Sequence, residues 1–150
     1  MNDSAPLSAV TGINHVTLAV SNIDGSIAFY RDLLGCKLRA VWASGAYLEA
    51  GSLWLCLALD DSVTERHTPD YSHLAFSVLE CEFDAISSRI AGVAKLWKDN
   101  RSEGASIYFL DPDGHKLEVH CGSLQSRLEH YRAHPSKGVT VVDDGIDYGA

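Results

Sequence analysis

The sequence predicts an α+β fold built from two βαβββ modules in one chain, and two internal repeats carry this prediction. A strand headed by a histidine occurs at His15 and again at His73, 58 positions later. A turn glycine that separates two short strands occurs at Gly51 and again at Gly114, 63 positions later. Duplicated units of this kind share one core and form one object.

The length bounds the domain organisation. With 150 residues the chain is long enough to bury a core as one ordinary domain. We expect a single domain over residues 12–132, made of modules at about 12–59 and 71–122 and a C-terminal helix, with residues 133–150 as a tail.

Composition excludes some classes of partner. A net charge of −8 argues against a basic face that grips nucleic acid or an anionic membrane, so a bound anion would need local positive charge. The N-terminal stretch lacks the features of a signal peptide and no run reaches the ~20 apolar residues of a membrane span, so we expect a cytoplasmic protein. No CxxC pair occurs, which favours packed thiols at Cys36, Cys56, Cys81 and Cys121.

The first module follows from apolar patterns and turn residues. An apolar, β-branched run at 15–20 predicts a strand. Capping side chains at 21–24 and apolar residues at helical spacing predict a helix that ends at Gly35. Three short strands are then predicted at 38–42, 47–50 and 53–59.

The second module repeats this order after a linker at 60–71. A strand at 73–78 is followed by a helix at 83–91 that ends at Gly92. Ser123 is a suitable cap for a short C-terminal helix. The remaining strands are predicted at 93–97, 106–110 and 115–121.

The last hairpin of this module places one carboxylate in an apolar strand. Asp-Pro-Asp-Gly at 111–114 is a strong turn signal, and the alternation on either side puts Tyr108 and Glu118 on the same parity. A lone strand glutamate ordinarily points at water. Its partners decide whether Glu118 does so.

The repeat supplies candidate partners. A two-fold pairing of the modules brings His15 and His73 to equivalent places in one cleft, whereas the first-module counterpart of Glu118, at about Leu55, is apolar. Two histidines and one carboxylate leave open positions on a metal ion for a substrate. His120 shares the parity of Glu118 but lies two residues, or ~6.6 Å, further along the strand, so we do not expect it to be a ligand.

These residues lie in motifs that resemble the vicinal-oxygen-chelate superfamily and, within it, the fosfomycin-resistance glutathione transferases of FosA type. The resemblance runs from about residue 12 to 132, and NRSEG followed by FLDPDGH is its most specific part. Other pieces that carry it are GINHVTLAV, SIAFYRDLLG, GAYLEAGSLWLCL, YSHLAF and GSLQSRL. Leu74 departs from the pattern, since several relatives place tyrosine there.

The resemblance implies a fold, an assembly and two kinds of cation. It implies a homodimer in which paired modules form a cupped mixed sheet around a metal cleft, with each site taking ligands from both chains. By resemblance, His15, His73 and Glu118 hold Mn²⁺ or another divalent metal. The family's potassium loop, which suits a hard cation through its oxygen ligands, falls on Asn100, Ser102, Gly104 and Ser106.

The resemblance also implies an activity, the addition of glutathione to the epoxide of fosfomycin. Thr17 shares strand parity with His15, and Tyr47 resembles the family's thiol-activating tyrosine. A phenol with a pKa of about 10 is a poor base for a thiol near 8.5 unless its own pKa is lowered. The residues that resemble the substrate pocket and phosphonate cradle are Trp54, Lys98, Ser102, Tyr108 and Arg127.

Other interpretations of the same residues stay open. Metal-assisted hydrolysis of the epoxide would use Glu49, which shares parity with Tyr47, as the base. An Fe²⁺ dioxygenase suits the same three ligands. A drug-binding protein without turnover is a further alternative, although a metal triad beside a phosphonate cradle exceeds what sequestration needs.

Overall fold

A computed structural model describes residues 9–63, 70–101 and 103–142. The contacts divide the chain into two compact units, one on each side of residues 64–69. The predictions for Ser102, for residues 64–69 of the linker and for residues 143–150 lie outside the described residues. None of the helices in the described part combines the length and apolarity needed to span a bilayer.

The first unit is a four-stranded mixed sheet with one helical segment. Its strands are β1 (His15–Val20), β2 (Lys37–Trp42), β3 (Gly45–Ala50) and β4 (Leu53–Leu59), in the order β1-β4-β3-β2. β1 pairs with β4 in parallel, and the other pairs are antiparallel.

The helical segment begins as α1 (Ile23–Ile27) and continues as a π-helix over Ala28–Leu33. The Asn22 side chain caps it by accepting a hydrogen bond from the backbone N–H of Gly25 at 2.8 Å. Gly35, with φ of 78°, terminates it. The predicted helix is therefore present, and the wider winding of its second half is what the sequence pattern did not indicate.

The second unit repeats the arrangement. It contains β5 (Leu74–Ser77), α2 (Phe83–Ala91), β6 (Leu96–Lys98), β7 (Ala105–Leu110), β8 (Lys116–Cys121) and α3 (Leu124–Ala133). The sheet order is β5-β8-β7-β6, with β5 and β8 parallel. Short 3₁₀ turns lie at Glu80–Glu82 and Pro135–Lys137.

The shared strand order confirms the prediction of two βαβββ modules. The largest shift is at β6, which was expected at 93–97. Val93 and Ala94 donate their backbone N–H groups to the carbonyl of Ile90 at 3.0 and 2.8 Å, so the end of α2 retains them and the strand begins at Leu96.

The strand registers correct the counterpart of Glu118. His15 pairs with Trp54 across β1 and β4, so Thr17 pairs with Cys56, and the equivalent pair in the second unit is Ala75 with Glu118. The counterpart is therefore Cys56. The expectation of Leu55 was wrong by one position.

The turn between β7 and β8 explains this offset. Counted between equivalent cross-strand partners, the connection from β7 to β8 is one residue longer than the connection from β3 to β4. Asp111 absorbs the extra residue, because its Oδ1 accepts hydrogen bonds from the backbone N–H groups of Asp113 and His115, each at 2.9 Å. The buried positions still match, with Leu55 and Leu117 both fully buried.

Candidate metal centre and substrate face

Two of the three predicted metal ligands meet in the second unit. His73 Nε2 lies 3.0 Å from Oε1 of Glu118, whose side chain is 9% exposed. The other ring nitrogen of His73, Nδ1, lies 2.8 Å from the Tyr71 carbonyl, which can only accept a hydrogen bond. Nδ1 therefore carries a proton, and in the neutral imidazole Nε2 directs its lone pair at the carboxylate.

The second oxygen of Glu118 is held from β7 and β8. Ser106 Oγ donates to Oε2 of Glu118 at 2.6 Å and lies 2.6 Å from His120 Nδ1. Because the hydroxyl has one hydrogen, it accepts from His120 while it donates to Glu118. These three side chains form a chain of hydrogen bonds that ends on the carboxylate.

His120 is closer to Glu118 than its position on the strand indicates. Its Nδ1 lies 3.5 Å from Oε2 of Glu118, because the ring folds back along β8. A Cβ on Gly104 would lie 2.8 Å from Cε1 of this ring, and one on Gly122 would lie 2.7 Å from its Nε2. The two glycines thus give the imidazole room to point at Ser106.

Aromatic rings enclose His73. The ring centroids of Tyr71, Trp97 and Tyr108 lie 5.0, 5.5 and 5.9 Å from that of His73, all in edge-to-face arrangements. The Trp97 indole N–H donates to the carbonyl of Leu117 at 3.1 Å, which fixes the ring against β8. This enclosure fixes the orientation of the imidazole.

Lys98 and Tyr108, two of the residues predicted to bind the phosphonate, lie beside this pair. Tyr108 is opposite both Lys98 and Glu118 in the sheet. Lys98 Nζ donates to the Tyr71 hydroxyl and lies 4.5 and 4.7 Å from the ring centroids of Tyr71 and Tyr108. The hydrogen bond to Tyr71 raises the pKa of the Lys98 ammonium, which keeps a positive charge here.

Arg127 is occupied by a different partner. Its Nε and a terminal nitrogen donate to Oε2 and to the backbone carbonyl of Glu103, each at 3.0 Å. Burial lowers the pKa of this guanidinium, but hydrogen bonds with Glu103 and Tyr131 outweigh that effect and raise it. Arg127 therefore joins α3 to the segment that precedes β7.

The predicted potassium loop is only partly described, because Ser102 is not among the described residues. The Asn100 side chain donates to the carbonyl of Gly104 at 2.8 Å, and Gly104 has φ of 85°. This bond closes the loop, while the Ser106 hydroxyl is directed at Glu118.

The first unit carries the third predicted ligand. His15 Nδ1 lies 2.7 Å from Oδ1 of Asn14, an oxygen that can only accept. As at His73, the proton lies on Nδ1 and Nε2 offers its lone pair, the arrangement typical of a metal-binding histidine.

The face of the first sheet around His15 holds the other predicted residues. Thr17 lies two positions along β1 from His15 and on the same side. The Trp54 ring lies 4.7 Å from that of His15, and the Tyr47 ring lies 5.1 Å from that of Trp54 at 90°. Trp54 is 39% exposed and Tyr47 is 38% exposed, so neither belongs to the core.

The donor set fits a divalent cation. At 3.0 Å, a lone pair on His73 Nε2 and a carboxylate oxygen repel each other unless a proton or a cation lies between them. Within the described ranges of this single chain, no three His, Cys, Asp or Glu side chains gather closely enough to hold a metal ion. One chain thus presents His15 on one unit and the His73–Glu118 pair on the other.

Sequence reasoning missed Tyr71 and Trp97, and it set His120 aside. Nothing in the spacing of Tyr71 marks it, since it precedes β5 in an irregular segment. Trp97 was predicted to end a strand and was given no role in the site. The pairing of β6 with β7 brings it beside Tyr108, at 5.3 Å between ring centroids.

Comparisons with known proteins agree with this fold and with the resemblance. Residues 12–119 match the family model described as the Glyoxalase/Bleomycin resistance protein/Dioxygenase superfamily. The chain is 49% identical over 138 residues to glutathione transferase FosA of Serratia marcescens, covering 88% of this chain and 96% of that protein. It is 41% identical over 141 residues to metallothiol transferase FosB of Shouchella clausii, covering 90% of this chain and 97% of that protein.

The solved structure of a relative aligns with this fold. A mutant of the fosfomycin resistance protein FosX from Listeria monocytogenes, complexed with Mn(II) and 1S,2S-dihydroxypropylphosphonic acid, aligns with a TM-score of 0.70 at 28% identity. The alignment covers 80% of this chain and 99% of that one. The chain therefore belongs to the glyoxalase/bleomycin resistance protein/dioxygenase superfamily and is similar to its fosfomycin-resistance enzymes.

Proposed function

We propose that this chain inactivates fosfomycin by adding the thiol of glutathione to its epoxide, with Mn²⁺ bound by His15, His73 and Glu118. The pairing of His73 with the buried Glu118 at 3.0 Å carries the proposal, because it brings two metal-ligating groups together with a lone pair directed at a carboxylate. The similarity to glutathione transferase FosA over 88% of the chain supports the choice of thiol.

The metal supplies one kind of chemistry. Held by His15, His73 and Glu118, Mn²⁺ would supply Lewis-acid stabilisation of the negative charge that develops on the epoxide oxygen. Its ligand set leaves open positions for the oxygens of a substrate. Nδ1 of each histidine is tied to an oxygen acceptor, which holds Nε2 of His15 and of His73 ready to bind.

The chain's own residues bind and orient the two substrates. Lys98 and Tyr108 bind the phosphonate, with the Lys98 ammonium giving charge-assisted hydrogen bonds in an otherwise acidic protein. Thr17 orients the substrate from β1, and Trp54 forms an apolar wall beside His15. Ser102 and Arg127 complete the proposed cradle. For Arg127 this role requires release from Glu103.

The reaction balances without an oxidant. The thiolate sulfur attacks an epoxide carbon, a C–S bond forms, and the C–O bond breaks so that its electron pair stays on oxygen. The proton lost by the thiol is matched by the proton gained by that oxygen. Tyr47 is the residue we assign to the thiol, from its exposed position on the same face as Thr17.

The assembly and the second cation belong to the same proposal. We propose a homodimer in which each metal site takes ligands from both chains. K⁺ would bind at the loop formed by Asn100, Ser102, Gly104 and Ser106, and the hydrogen bond from the Asn100 side chain to the Gly104 carbonyl supports this by drawing these two residues together.

Hydrolysis of the epoxide is the second candidate. Glu49 lies on the same side of β3 as Tyr47 with its side chain 46% exposed, which leaves the carboxylate available as a base for water. The product separates the candidates, since hydrolysis gives a diol without thiol and transfer gives a thioether.

The test combines purified protein, fosfomycin and glutathione with and without Mn²⁺, and follows the mass of the adduct. We expect adduct only with metal, and none from His15→Ala, His73→Ala or Glu118→Ala. His134→Ala, at the exposed C-terminal end of α3, is the matched histidine control and should retain the wild-type rate. A metal-independent rate would contradict the mechanism.

A further inference from the structure

The two histidines proposed as ligands are held by their units in different ways. His15 is the first residue of β1 and pairs with Trp54 of β4, so the parallel ladder fixes its backbone. The corresponding ladder between β5 and β8 begins only at Leu74 and Leu117. His73 therefore precedes the ladder, and the irregular segment 70–73 has to set its position.

The side chain of Lys116 ties this segment to the second sheet. Its Nζ donates a hydrogen bond to the backbone carbonyl of Asp70. The Asp70 side chain accepts the backbone N–H of Ser72 through Oδ1 at 3.2 Å, which closes a short turn. Inside that turn, the carbonyl of Tyr71 lies 2.8 Å from Nδ1 of His73. Lys116 thus anchors the turn whose carbonyl directs the His73 ring.

The position of Lys116 on β8 suits this contact. Extending the ladder of β5 and β8 back by one residue puts Lys116 opposite His73, the place that Trp54 has opposite His15. The ammonium group also lies 5.2 Å from the ring centroid of Trp97, within the range of a cation–π interaction. Because Trp97 is one of the rings that enclose His73, the same lysine contacts two supports of the imidazole.

We propose that Lys116 is a positioning residue for the metal site. It holds segment 70–73 so that the proton of His73 stays on Nδ1 and Nε2 stays available to the metal. It acts through the carbonyls of Asp70 and Tyr71 rather than by contact with the metal. The inference rests on the proposed function, whose metal site it extends to a residue outside the three ligands.

Electrostatics and positioning predict opposite effects when this charge is removed. Lys116 and Glu118 are two residues apart on β8, about 7 Å, and an ammonium group at that range repels a divalent cation. Loss of the charge alone would therefore tighten the binding of Mn²⁺. Loss of the anchor would weaken it, because His73 would no longer be held ready to bind.

The test compares Lys116→Met and Lys116→Arg with the wild type, by calorimetric titration of the intact, metal-freed protein with Mn²⁺. Methionine keeps an unbranched stem without the donor, whereas arginine keeps a charged donor that also stacks on tryptophan. We expect Lys116→Met to bind Mn²⁺ roughly tenfold more weakly, the lower end of the effect of losing a group that orients a ligand, and Lys116→Arg to bind nearly as the wild type does. Lys95→Met, at an exposed position just before β6, removes the same charge and is the matched control that should bind as the wild type does.

A second measurement follows the His73 ring itself. In metal-free protein labelled with ¹⁵N at histidine, NMR at mildly alkaline pH distinguishes a proton on Nδ1 from one on Nε2, and His73→Ala assigns the signal. We expect the wild type to carry the proton on Nδ1 and Lys116→Met to show a mixture of the two forms. A role in stability alone would lower the midpoint of urea unfolding and leave this signal unchanged.

The outcomes distinguish this inference from the proposed function. Unchanged or tighter binding of Mn²⁺ by Lys116→Met, or a His73 signal identical to that of the wild type, would overturn the role of Lys116. Wild-type protein that binds no Mn²⁺ would contradict the proposed function, and the NMR comparison would still decide whether Lys116 orients His73.

Discussion

Glu118 is constrained on both of its oxygens. Oε2 accepts the Ser106 hydroxyl at 2.6 Å, and Oε1 faces His73 at 3.0 Å. A carboxylate held in this way loses little further freedom when it binds a cation, so its geometry is set before the metal arrives.

We predict that Ser106→Ala lowers the affinity for Mn²⁺ by about 10–100-fold, the usual effect of removing a group that orients a metal ligand. The variant loses the hydrogen bond to Glu118 and the bridge to His120. Ser106→Thr retains the hydroxyl and should bind nearly as the wild type does. Calorimetric titration with Mn²⁺ checks this, and equal affinity of the alanine variant would show that Ser106 does not orient Glu118.

Residue spacing predicted part of this cluster. Alternation along β7 and β8 correctly put Tyr108 and Glu118 on the same side of the sheet, where the structure makes them cross-strand partners. Spacing along a strand did not predict how closely the His120 ring approaches Glu118. Such spacing measures the separation of backbones, whereas the imidazole folds back into the space left by Gly104 and Gly122. The direction of the His120 side chain therefore depends on two glycines that the alternation of residues along β8 does not reveal.

Cys36 provides a pH-dependent test of the core. Burial raises the pKa of its thiol from 9.0 to about 11. The folded state therefore keeps its proton between pH 9 and 11 while the unfolded state loses it, so stability is full below pH 9 and falls as pH rises towards 11. At about 1.36 kcal/mol per pKa unit the loss approaches roughly 3 kcal/mol.

Urea unfolding of the wild type and of Cys36→Ala at several pH values measures this effect. The difference in stability between them should shrink between pH 9 and 11. Cys81→Ala, at an exposed position, should follow the wild type throughout. A difference that does not change with pH would mean that the Cys36 thiol ionises equally in both states.

The turn between β7 and β8 joins the two strands whose register pairs Tyr108 with Glu118. Asp111 is buried, and its Oδ1 accepts the backbone N–H groups of Asp113 and His115. Gly114 has φ of 86°, a conformation that glycine adopts without strain. The turn thereby contains one residue more than its counterpart in the first unit and still keeps Leu117 in the core.

We predict that Asp111→Ala destabilises the protein by about 1–3 kcal/mol, since two backbone donors lose their acceptor. Asp111→Asn retains Oδ1 and should cost clearly less. Urea unfolding measures both changes. Equal stability of the alanine variant and the wild type would mean that water replaces the side chain in this turn.

The sequence patterns predicted which strands and helices form better than they predicted where each one begins and ends. The strand at 53–59 and the helix at 83–91 were predicted with the bounds of β4 and α2, because apolar periodicity and flanking glycines coincide there. The start of β6 was missed, since hydrogen bonds to Ile90 extend the end of α2. The counterpart of Glu118 was misplaced, because spacing between glycines cannot show how a turn absorbs a residue.

At the scale of the whole molecule, the two units share a topology and differ in chemistry. Both have the same strand order, and Glu118 occupies the position that Cys56 has in the first unit. The first unit thus offers one histidine, and the second offers a histidine and a carboxylate. Two unlike half-sites of this kind suit a metal site assembled from two copies of the chain.

A mixed-dimer experiment tests the proposed assembly. His15→Ala and Glu118→Ala proteins, each inactive alone, are unfolded together and refolded. If each site joins His15 of one chain to the His73–Glu118 pair of the other, a mixed dimer has one intact site, and the mixture should recover roughly a quarter of the wild-type rate by random pairing.

Refolding each variant separately is the control and should give no activity. The absence of recovery in the mixture, with dimers present, would show that the ligands of one site do not come from different chains in the proposed way.

The placement of the three tryptophans has a practical consequence. Trp54 lies 4.7 Å from the ring of His15, Trp97 lies 5.5 Å from that of His73, and Trp42 lies 4.8 Å from that of Tyr47. Each region of the proposed site therefore contains its own fluorophore. Variants that keep one indole and carry phenylalanine at the other two positions would allow cation binding at one half-site and donor binding near Tyr47 to be followed separately by emission, with no attached dye.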